Sequence, residues 1–208
     1  MPILAIATSK GGSGKTTLAA CLAEHWTRLG HKVACLDTDP NRNLDDWLRS
    51  AVSGVTCTVV EEENLLDIIG KTSLSSDWVI VDVAGSLARG LLYAVSGADG
   101  VLIPCRCDRK DVVEACRTQE VITAAGKMVR RLIPHAAVLT QVNRRAEVTA
   151  HTRQQLAIME IPVLVSDMPG RTAYQQASYT GSPLGNAEAR KDIAAIAGDV
   201  ETLVRGPK

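Results

Sequence analysis

The sequence predicts a single α/β domain, with a mostly parallel twisted sheet and helices on both of its faces. Three observations support this prediction. Short apolar segments typical of buried strands alternate with helical segments along the chain, which is the order found in parallel sheets. A glycine-rich loop separates the first such strand from the first helix. The 208 residues contain no linker, repeat or low-complexity tract, so one domain over residues 1–208 accounts for the chain.

The first elements are a buried strand at residues 3–7 and a glycine-rich loop that follows it. The loop reads Lys10-Gly11-Gly12-Ser13-Gly14-Lys15-Thr16-Thr17. It satisfies the phosphate-loop pattern G-x-x-x-x-G-K-(S/T) if the count starts at Ser9 in place of the first glycine. Apolar side chains then recur at helical spacing up to Gly30, at Leu18, Leu22, Trp26 and Leu29. This order of strand, loop and helix favours a phosphate-binding loop over a glycine turn without function.

The residue types in the loop suit the binding of phosphate. Its three glycines lack a Cβ, so the backbone can adopt left-handed dihedrals and turn successive N–H groups towards phosphate oxygens. The N-terminus of the following helix favours anionic charge. We expect Lys15 to reach the β and γ phosphates, Thr16 to offer its hydroxyl to magnesium and Thr17 to bind a nearer phosphate. Lys10 is a second lysine, which the phosphate-loop pattern does not require.

Two later strands are expected to end on carboxylates. Residues 32–37 form the second predicted buried strand, which runs into Asp37-Thr38-Asp39-Pro40, and the apolar strand from residue 78 ends on Asp82. Ligands of open α/β sheets bind at the carboxyl ends of strands. An aspartate at a strand end, downstream of a phosphate loop, matches the position that holds magnesium. We therefore expect Asp82 to serve a metal and not merely to cap a turn.

The remaining segments continue the alternation of strands and helices. Further strands are predicted at 55–60, 100–104, 136–142 and 161–166. Further helices are predicted at 44–48, 65–69, 108–125, 148–159 and 186–204. The acidic run at 61–63 is interpreted as the solvated start of the helix at 65–69, where it complements the helix dipole.

The composition is that of a soluble globular protein, with 46% hydrophobic and 22% charged residues. Aromatic residues make up only 3%, which leaves few platforms for stacking single-stranded nucleic acid. Cys105-Arg106-Cys107 lacks a second paired motif, so a metal or redox site there is not favoured. No signal peptide and no apolar run of about 20 residues is present, and we expect a cytoplasmic protein that does not bind membranes.

Charge is unevenly distributed along the chain although the net charge is zero. Residues 106–153 contain 10 Lys and Arg against 5 Asp and Glu, whereas residues 1–105 contain 8 against 12. This basic segment is a candidate footprint for a polyanion. Charge alone does not separate that function from ordinary solvated helix faces.

Taken together, these motifs resemble the ParA/MinD class of deviant-Walker-A ATPases, which are P-loop NTPases. Residues 10–17 match the deviant motif, residues 37–40 its second signature and residues 81–87 the third signature of the short plasmid-partition ParA proteins such as ParF. The resemblance covers nearly the whole chain and implies that ATP and Mg²⁺ are the cofactors. Unlike the longer ParA proteins, the chain starts at its first strand, so no N-terminal helix-turn-helix is expected.

The resemblance also implies an ATP-dependent homodimer. Lys10 would reach across the dimer interface to the phosphates of the partner's ATP, so that two nucleotides are sandwiched between subunits. Lys15 would serve the phosphates of its own subunit, and Thr16 the magnesium.

Hydrolysis would rest on three carboxylates. Asp39 would position or activate the attacking water beside the metal, Asp37 would support the same segment, and Asp82 would hold the magnesium shell. Phosphoryl transfer mainly requires positioning and charge neutralisation, so few groups suffice. Turnover is expected to be slow until an adaptor protein completes the site.

Two later segments resemble those that contact adenine and DNA in ParA proteins. Arg144 and Arg145 follow the strand-end segment at 139–143, and Arg171 follows Pro169-Gly170. The resemblance implies that Asn143, Pro169 and Arg171 lie near the base, and that Arg144, Arg145 and Arg171 contact non-specific double-stranded DNA. Such binding relies on phosphate contacts and should fall steeply with salt.

The function that these observations predict is an ATP-driven partition switch. ATP-bound dimers would bind nucleoid DNA, and a small centromere-binding or adaptor protein would trigger hydrolysis to ADP and phosphate. Three alternatives remain: the same machine with another cargo, such as a protein compartment or a chemoreceptor cluster; a biosynthetic P-loop ligase of this fold; and a MinD-like membrane switch, which the missing amphipathic tail does not favour.

Overall fold

The computed structural model describes residues 1–51, 54–85 and 88–206, and its strands form one seven-stranded sheet. The strands are β1 (Ile3–Ile6), β2 (Val33–Asp37), β3 (Val55–Val59), β4 (Trp78–Asp82), β5 (Gly100–Arg106), β6 (His135–Val142) and β7 (Met168–Pro169). They lie in the order β3-β2-β4-β1-β5-β6-β7, and every neighbouring pair is parallel. The predicted parallel sheet is thus confirmed.

Helices connect these strands. They are α1 (Lys15–Arg28), α2 (Asn43–Ala51), α3 (Leu65–Ser73), α4 (Ala88–Gly97), α5 (Arg109–Val129), α6 (Glu147–Ile158), α7 (Thr172–Thr180) and α8 (Ala187–Arg205). Short 3₁₀ turns at Glu62–Asn64 and Pro183–Gly185 precede α3 and α8. None of the helices in the described ranges is long and apolar enough to cross a bilayer.

The two faces of the sheet carry separate hydrophobic cores. Along β1, Leu4 and Ile6 pack into the core formed with α1, α2, α7 and α8, whereas Ala5 packs with α3, α4, α5 and α6. This alternation follows from the two-residue period of a strand and explains why central strands have apolar residues at every position. In the first core, Trp26 stacks on Trp78 with ring centroids 3.8 Å apart. Aliphatic side chains fill most of the remaining space, as the scarcity of aromatics requires.

Two helices begin at side-chain caps, Asp108 and Asn186, which are the first residues of the predicted helices 108–125 and 186–204. The Asp108 carboxylate accepts a hydrogen bond from the Lys110 backbone N–H and caps α5. The Asn186 side chain accepts from two backbone N–H groups of the first turn of α8. Such caps satisfy donors that have no partner within the helix. Helix α5 runs past its predicted end and stops at Arg130, which adopts a left-handed conformation.

The strand predicted at 161–166 is wrong. Within that segment, only Val163 forms a bridge, with Ala137 of β6, and the seventh strand is the two-residue β7 further along. Side chains satisfy much of the segment's backbone instead: Arg153 donates to the carbonyls of Leu164 and Val165. The Ser166 N–H donates to the Asp199 carboxylate. In the described part of the chain, pairing with β6 is confined to two backbone hydrogen bonds, from the Ala137 N–H to the Pro162 carbonyl and from the Leu164 N–H to the Ala137 carbonyl.

Helices α4 and α7 were not predicted from the sequence. Helix α4 contains two glycines within a run of small and apolar residues, and α7 has a polar sequence without a clear apolar stripe. The α7 segment lacks the 3.6-residue period on which helix assignment depends. In α4 such a period is present, since Leu91, Ala94 and Val95 are buried on one face, and the prediction overlooked it. Ser86 and Leu87, the last residues of the third predicted signature, lie outside the described residues.

Candidate functional site

The carboxyl ends of the parallel strands meet at one edge of the sheet, and most of the predicted site residues lie there. The phosphate loop leaves β1 and enters α1 at Lys15. Asp37 is the last residue of β2 and Asp82 the last residue of β4, and the two are aligned as neighbours in the sheet. Strand β1 lies between β4 and β5, where successive connections run to opposite sides of the sheet, the position at which α/β sheets bind ligands.

The backbone of the phosphate loop has the conformation that its glycines permit. Gly12 and Gly14 adopt φ angles of 74° and 97°, in the left-handed region. Ser13 is buried, and its carbonyl accepts a 2.7 Å hydrogen bond from the Thr140 hydroxyl of β6. Gln141 donates its amide to the Gly12 carbonyl at 3.3 Å. The end of β6 therefore holds the loop from the side opposite α1.

Lys15 lies within its own loop. Its Nζ donates a 2.9 Å hydrogen bond to the Lys10 carbonyl. Burial lowers the pKa of Lys15, while the carboxylates of Asp82 and Asp39 act in the opposite direction. A partly desolvated cation beside backbone N–H groups is suited to bind phosphate.

Thr16 and Asp82 form the second part of the site. The Thr16 hydroxyl donates to Asp82 Oδ2 at 2.7 Å. Burial raises the pKa of Asp82 to about 7, although the Thr16 hydrogen bond lowers it, and Asp82 Oδ1 is buried with no hydrogen-bond partner among the described residues. A buried carboxylate oxygen without a partner is costly unless a cation or donor approaches it. This pair therefore fits a magnesium ion, which prefers hydroxyl and carboxylate oxygens.

The Asp37 carboxylate is hydrogen-bonded to the backbone of the residues that follow it. It accepts N–H bonds from Asp39 at 2.9 Å, Leu44 at 3.0 Å and Asp45 at 3.1 Å. The last two belong to the first turn of α2, so Asp37 caps that helix from a distance in sequence. Burial raises the pKa of Asp37, and these backbone hydrogen bonds oppose the shift. Asp37 thus fixes the path of the segment that carries Asp39.

Asp39 is half-buried at the same edge and is held less tightly. Its carboxylate accepts bonds from the backbone N–H and the side-chain amide of Asn41, both at 2.9 Å. The preceding Thr38 hydroxyl donates to the Asp82 carbonyl and accepts from the Ala84 N–H, which ties the ends of β2 and β4 together. The Asp39 carboxylate also acts on the pKa values of Lys15 and Asp82, raising both, so its charge lies near these two groups.

Lys10 points away from its own loop. Its Nζ is hydrogen-bonded to the buried carboxylate of Asp111 and lies 3.9 Å from that of Asp108, both at the start of α5. Arg106 donates to Asp111 as well, through its backbone N–H and its Nε, both at 3.1 Å. Burial alone would raise the pKa of Asp111, but the hydrogen bonds from Arg106 and Lys10 outweigh it and lower the pKa. The two lysines of the loop thus occupy different environments.

A cavity of about 510 Å³ opens beside the loop. Its walls include Gly14 and Thr17 of the loop region, Gln141 at the end of β6, and Pro169 and Arg171. The last two are among the residues predicted near a base. Volume and position suit the base and sugar of a nucleotide whose phosphates lie on the loop.

Other residues of this cavity were missed from the sequence. Among them, Thr140 and Gln141 lie near the end of β6, and Tyr174 lies on the unpredicted helix α7. Gln141 has a φ of 54°, which is uncommon for a residue other than glycine. Thr140 and Gln141 could have been identified from the sequence, because they lie near a predicted strand end, close to the predicted Asn143. Asn143 itself is exposed, and its side chain accepts a bond from the Arg145 N–H at 3.2 Å.

The arginines predicted to contact DNA differ in their surroundings. Arg144 donates to Asp167 at 2.7 Å and to Asp192 at 3.2 Å. Arg171 is hydrogen-bonded to the same Asp192, which is 6% exposed and lies on α8. Arg145 is exposed, and in the described part of the chain its side chain has no hydrogen bond or ion pair. Asp192 therefore draws two of the three arginines together, whereas Arg145 faces solvent.

Similarity to known proteins agrees with this geometry. The family described as "CobQ/CobB/MinD/ParA nucleotide binding domain" matches residues 4–184. The chain is 31% identical over 202 residues to Protein ParA of Rhizobium radiobacter, covering 95% of this chain and 91% of that protein. It is 27% identical over 197 residues to the maintenance of carboxysome distribution protein A of Halothiobacillus neapolitanus, covering 92% and 90%. The narrower resemblance to ParF stays a prediction.

The fold is also found in solved structures. One is cobyrinic acid a,c-diamide synthase from Mycobacterium smegmatis with a bound ATP analog and magnesium, at a TM-score of 0.82 and 19% identity, covering 100% of this chain and 97% of the other. At this identity the likeness concerns the fold alone. The family match, which spans most of the chain, carries the assignment: the protein belongs to the CobQ/CobB/MinD/ParA family of nucleotide binding domains.

Proposed function

We propose that the protein is an ATP-dependent, dimerising partition ATPase that binds non-specific DNA in its ATP state. Hydrolysis to ADP and phosphate, stimulated by a small adaptor or centromere-binding protein, would release the DNA. The observation that carries this proposal is the separation of the two loop lysines: Lys15 Nζ lies within the loop, whereas Lys10 Nζ lies outside it against Asp111. A lysine outside its own loop is available to a second subunit.

The residues at the carboxyl edge of the sheet would have different roles in hydrolysis. Lys15 and the loop N–H groups would bind the phosphates, and Thr16 with Asp82 would hold Mg²⁺, which neutralises phosphate charge. Asp39, whose carboxylate accepts hydrogen bonds from Asn41, would position the attacking water near the metal. Asp37 would act as a positioning residue, because its carboxylate is already occupied by three backbone N–H groups. Positioning of this kind accounts for much of phosphoryl-transfer catalysis.

Dimerisation would complete the site through Lys10. Its side chain is 22% exposed, so a partner subunit can reach it. To contact the partner's phosphates, Lys10 would leave Asp111, which keeps Arg106 as a second cation. The buried carboxylate would therefore not be stranded without a partner, which would otherwise be costly.

DNA contact would rest first on Arg145. Its side chain is exposed and unpaired in the described part of the chain, whereas Arg144 and Arg171 are held by Asp192. Half of the Arg144 side chain remains accessible, at 51%, so Arg144 can add a second phosphate contact without leaving its ion pairs. A dimer would present these arginines twice, which would strengthen binding by linkage of two sites.

The decisive experiment measures duplex DNA binding with ATP, with ADP and without nucleotide, across a salt series. Arg145→Ala should weaken binding in the ATP state on any sequence and reduce the salt slope by about 2, because one phosphate contact is lost from each of the two subunits of the dimer. Arg130→Ala is the control, since it removes the same charge from the far end of α5. Equal DNA binding in all three nucleotide states would contradict the ATP-dependent switch. A larger loss of DNA binding in Arg130→Ala than in Arg145→Ala would contradict the DNA contact assigned to Arg145.

A protein compartment is a second candidate cargo, besides partitioned DNA, because one relative is a carboxysome distribution protein. The same ATPase cycle would then position a protein compartment. Phosphate release stimulated by DNA together with an adaptor supports either cargo. Phosphate release stimulated by a small carboxylic acid, without DNA, would instead support a biosynthetic ligase. Co-sedimentation with anionic vesicles in ATP would support a membrane switch.

A further inference from the structure

The basic segment 106–153 is divided between opposite edges of the molecule. Arg106, Arg109 and Lys110 lie at the end of β5 and the start of α5, on the edge that carries the phosphate loop. Lys127 and Arg130 lie at the other end of α5, just before β6 begins. Helix α5 has 21 residues, so about 30 Å separates the two groups. A single DNA footprint around the phosphate loop does not account for the second group.

The second group borders a cavity of about 440 Å³, which we call the α5–β6 groove. Its lining residues include Ile122, Lys127, Arg130, Arg131, Ile133 and His135. Ile122 and Ile133 are buried and provide an apolar floor. The described lining contains no acidic residue. The groove is therefore an apolar hollow with a cationic rim.

The groove also has one strongly exposed apolar side chain. Leu132 lines the groove just after α5 ends and is 96% exposed. Met128 is exposed as well, but it projects from the face of α5 opposite Ile122 and Arg130, so it is not part of this surface. Single exposed apolar residues are common, but Leu132 stands beside an apolar floor, where it can contact an apolar partner. A footprint for DNA phosphates would gain nothing from this side chain.

The polar groups of the groove are arranged for an anionic ligand. In the described part of the chain, Lys127 and Arg130 take part in no ion pair, and both are exposed. Arg131 is fixed differently, because its guanidinium donates to the carbonyls of Ser96 at 3.0 Å and Ala98 at 2.6 Å. His135 adds no donor for an anion, because its Nδ1 lies 3.0 Å from the Ile133 carbonyl and carries the proton, which leaves Nε2 as an acceptor in the neutral ring. The helix dipole accounts for a cation in the last turn, but not for the exposed Leu132.

We propose that the α5–β6 groove binds a segment of a partner protein that combines aliphatic and acidic side chains. An aliphatic side chain of the segment fills the hollow above Ile122 and Ile133, and its carboxylates lie beside Lys127 and Arg130. Charge complementarity selects an acidic segment, and the concave shape favours a peptide over a flat bilayer. The groove lies at the amino ends of the strands, opposite the phosphate loop, so this docking does not depend on bound nucleotide.

The test uses a labelled synthetic peptide in which leucines alternate with glutamates, and its binding is followed by fluorescence anisotropy. We expect saturable binding that is the same with ATP, with ADP and without nucleotide. The double variant Lys127→Glu, Arg130→Glu and the single variant Leu132→Ser should each weaken binding about tenfold, which is typical for the loss of an interface anchor. These positions are exposed, so the fold should be kept, and circular dichroism checks this.

Matched controls lie on α3 and at its end. Leu74 is 88% exposed, so Leu74→Ser repeats the Leu132→Ser change elsewhere. Lys71→Glu reverses one exposed charge, which is paired with Asp67. Both variants should leave peptide binding unchanged. A peptide with lysine in place of glutamate should not bind.

Several results would overturn the proposal: absence of binding, equal loss in the α3 controls, or preference for the lysine peptide. Binding of phosphatidylserine vesicles that requires the same residues would also overturn it in favour of a membrane. Loss of duplex DNA binding in the double variant would assign these cations to DNA. Because the peptide assay needs no nucleotide, its outcome is independent of the proposed ATPase cycle.

Discussion

At the scale of single residues, Asp82 has the most unusual surroundings in the site. It is 2% exposed, has Thr16 as a hydrogen-bond donor at 2.7 Å, and leaves Oδ1 without a partner in the described part of the chain. Its pKa of about 7 lies far above the ordinary value of 3.8 because burial disfavours the charged form. When it is ionised and no cation is bound, this buried carboxylate destabilises the folded protein, and the same oxygen can bind a cation.

The pH dependence of stability follows from this shift. In the unfolded chain Asp82 ionises near its ordinary pKa of 3.8, whereas in the folded protein it ionises at about 7. Folding therefore takes up a proton between these values, and the free energy of unfolding falls as the pH rises through this window.

Asp82→Asn removes this penalty and serves as a test. Without nucleotide or magnesium, its free energy of unfolding should exceed that of the wild type above about pH 7, by a few kcal/mol at most, and the difference should disappear near about pH 4. Urea denaturation over this pH range measures it. The variant should also lose the stabilisation that magnesium and ATP give to the wild type. Parallel pH profiles for the two proteins would contradict this account of Asp82.

At the scale of elements, the turn after β4 packs directly against the phosphate loop. A Cβ placed on Gly85 would lie 2.9 Å from the Ser9 carbonyl oxygen and 3.3 Å from Lys15 Nζ. The first distance is shorter than real Cβ contacts, so backbone would have to move. Gly85 therefore permits the close approach of the β4–α4 connection to the loop.

Gly85→Ala should consequently impair nucleotide binding while the fold is retained. We expect a loss of about tenfold or more in affinity for a fluorescent ATP analog, because the displaced loop no longer holds Lys15 in place. Gly70→Ala is the control: Gly70 lies in α3 with nothing within 4 Å of an added Cβ. It should leave binding unchanged and stabilise the helix by about 0.5–1 kcal/mol. Equal binding by both variants would show that the turn tolerates a side chain.

Element prediction succeeded where local signals were strong. The first helix was predicted from apolar side chains at helical spacing, and α1 forms there. The helices predicted to start at Asp108 and Asn186 do begin at these residues. Prediction failed at 161–166, where an apolar β-branched run indicated a strand but Arg153 satisfies two of its carbonyls. It also missed α7, whose polar sequence becomes helical through packing of Tyr174 against the core. Tertiary context overrode local propensity in both cases.

At the scale of the whole molecule, the position of Lys10 bears on the proposed contact between two subunits. The Lys10 ammonium is held at the surface by Asp111, a contact between residues 101 positions apart. Since Asp111 also binds Arg106, loss of Lys10 leaves the carboxylate paired and should cost little stability.

Lys10→Ala should therefore keep ATP binding but abolish the ATP-dependent dimer. Light scattering measures the dimer, and ATP affinity is measured separately by titration. Lys110→Ala is the matched control, since it removes an exposed lysine from the same edge of the molecule without touching the loop. If Lys10→Ala dimerises as well as the wild type, the role of Lys10 across the interface is wrong.

The phosphate loop, the strand-end positions of Asp37 and Asp82, and the alternation that makes the sheet parallel could all be predicted from local sequence. Each of these depends on neighbouring residues, whose types directly limit backbone dihedrals and burial. The folded chain was needed to show that Thr140 supports the loop at Ser13, that Asp192 is shared by Arg144 and Arg171, and that the basic segment is split between two edges. Such contacts join residues distant in the chain, so they depend on strand order and helix placement, for which no local pattern exists.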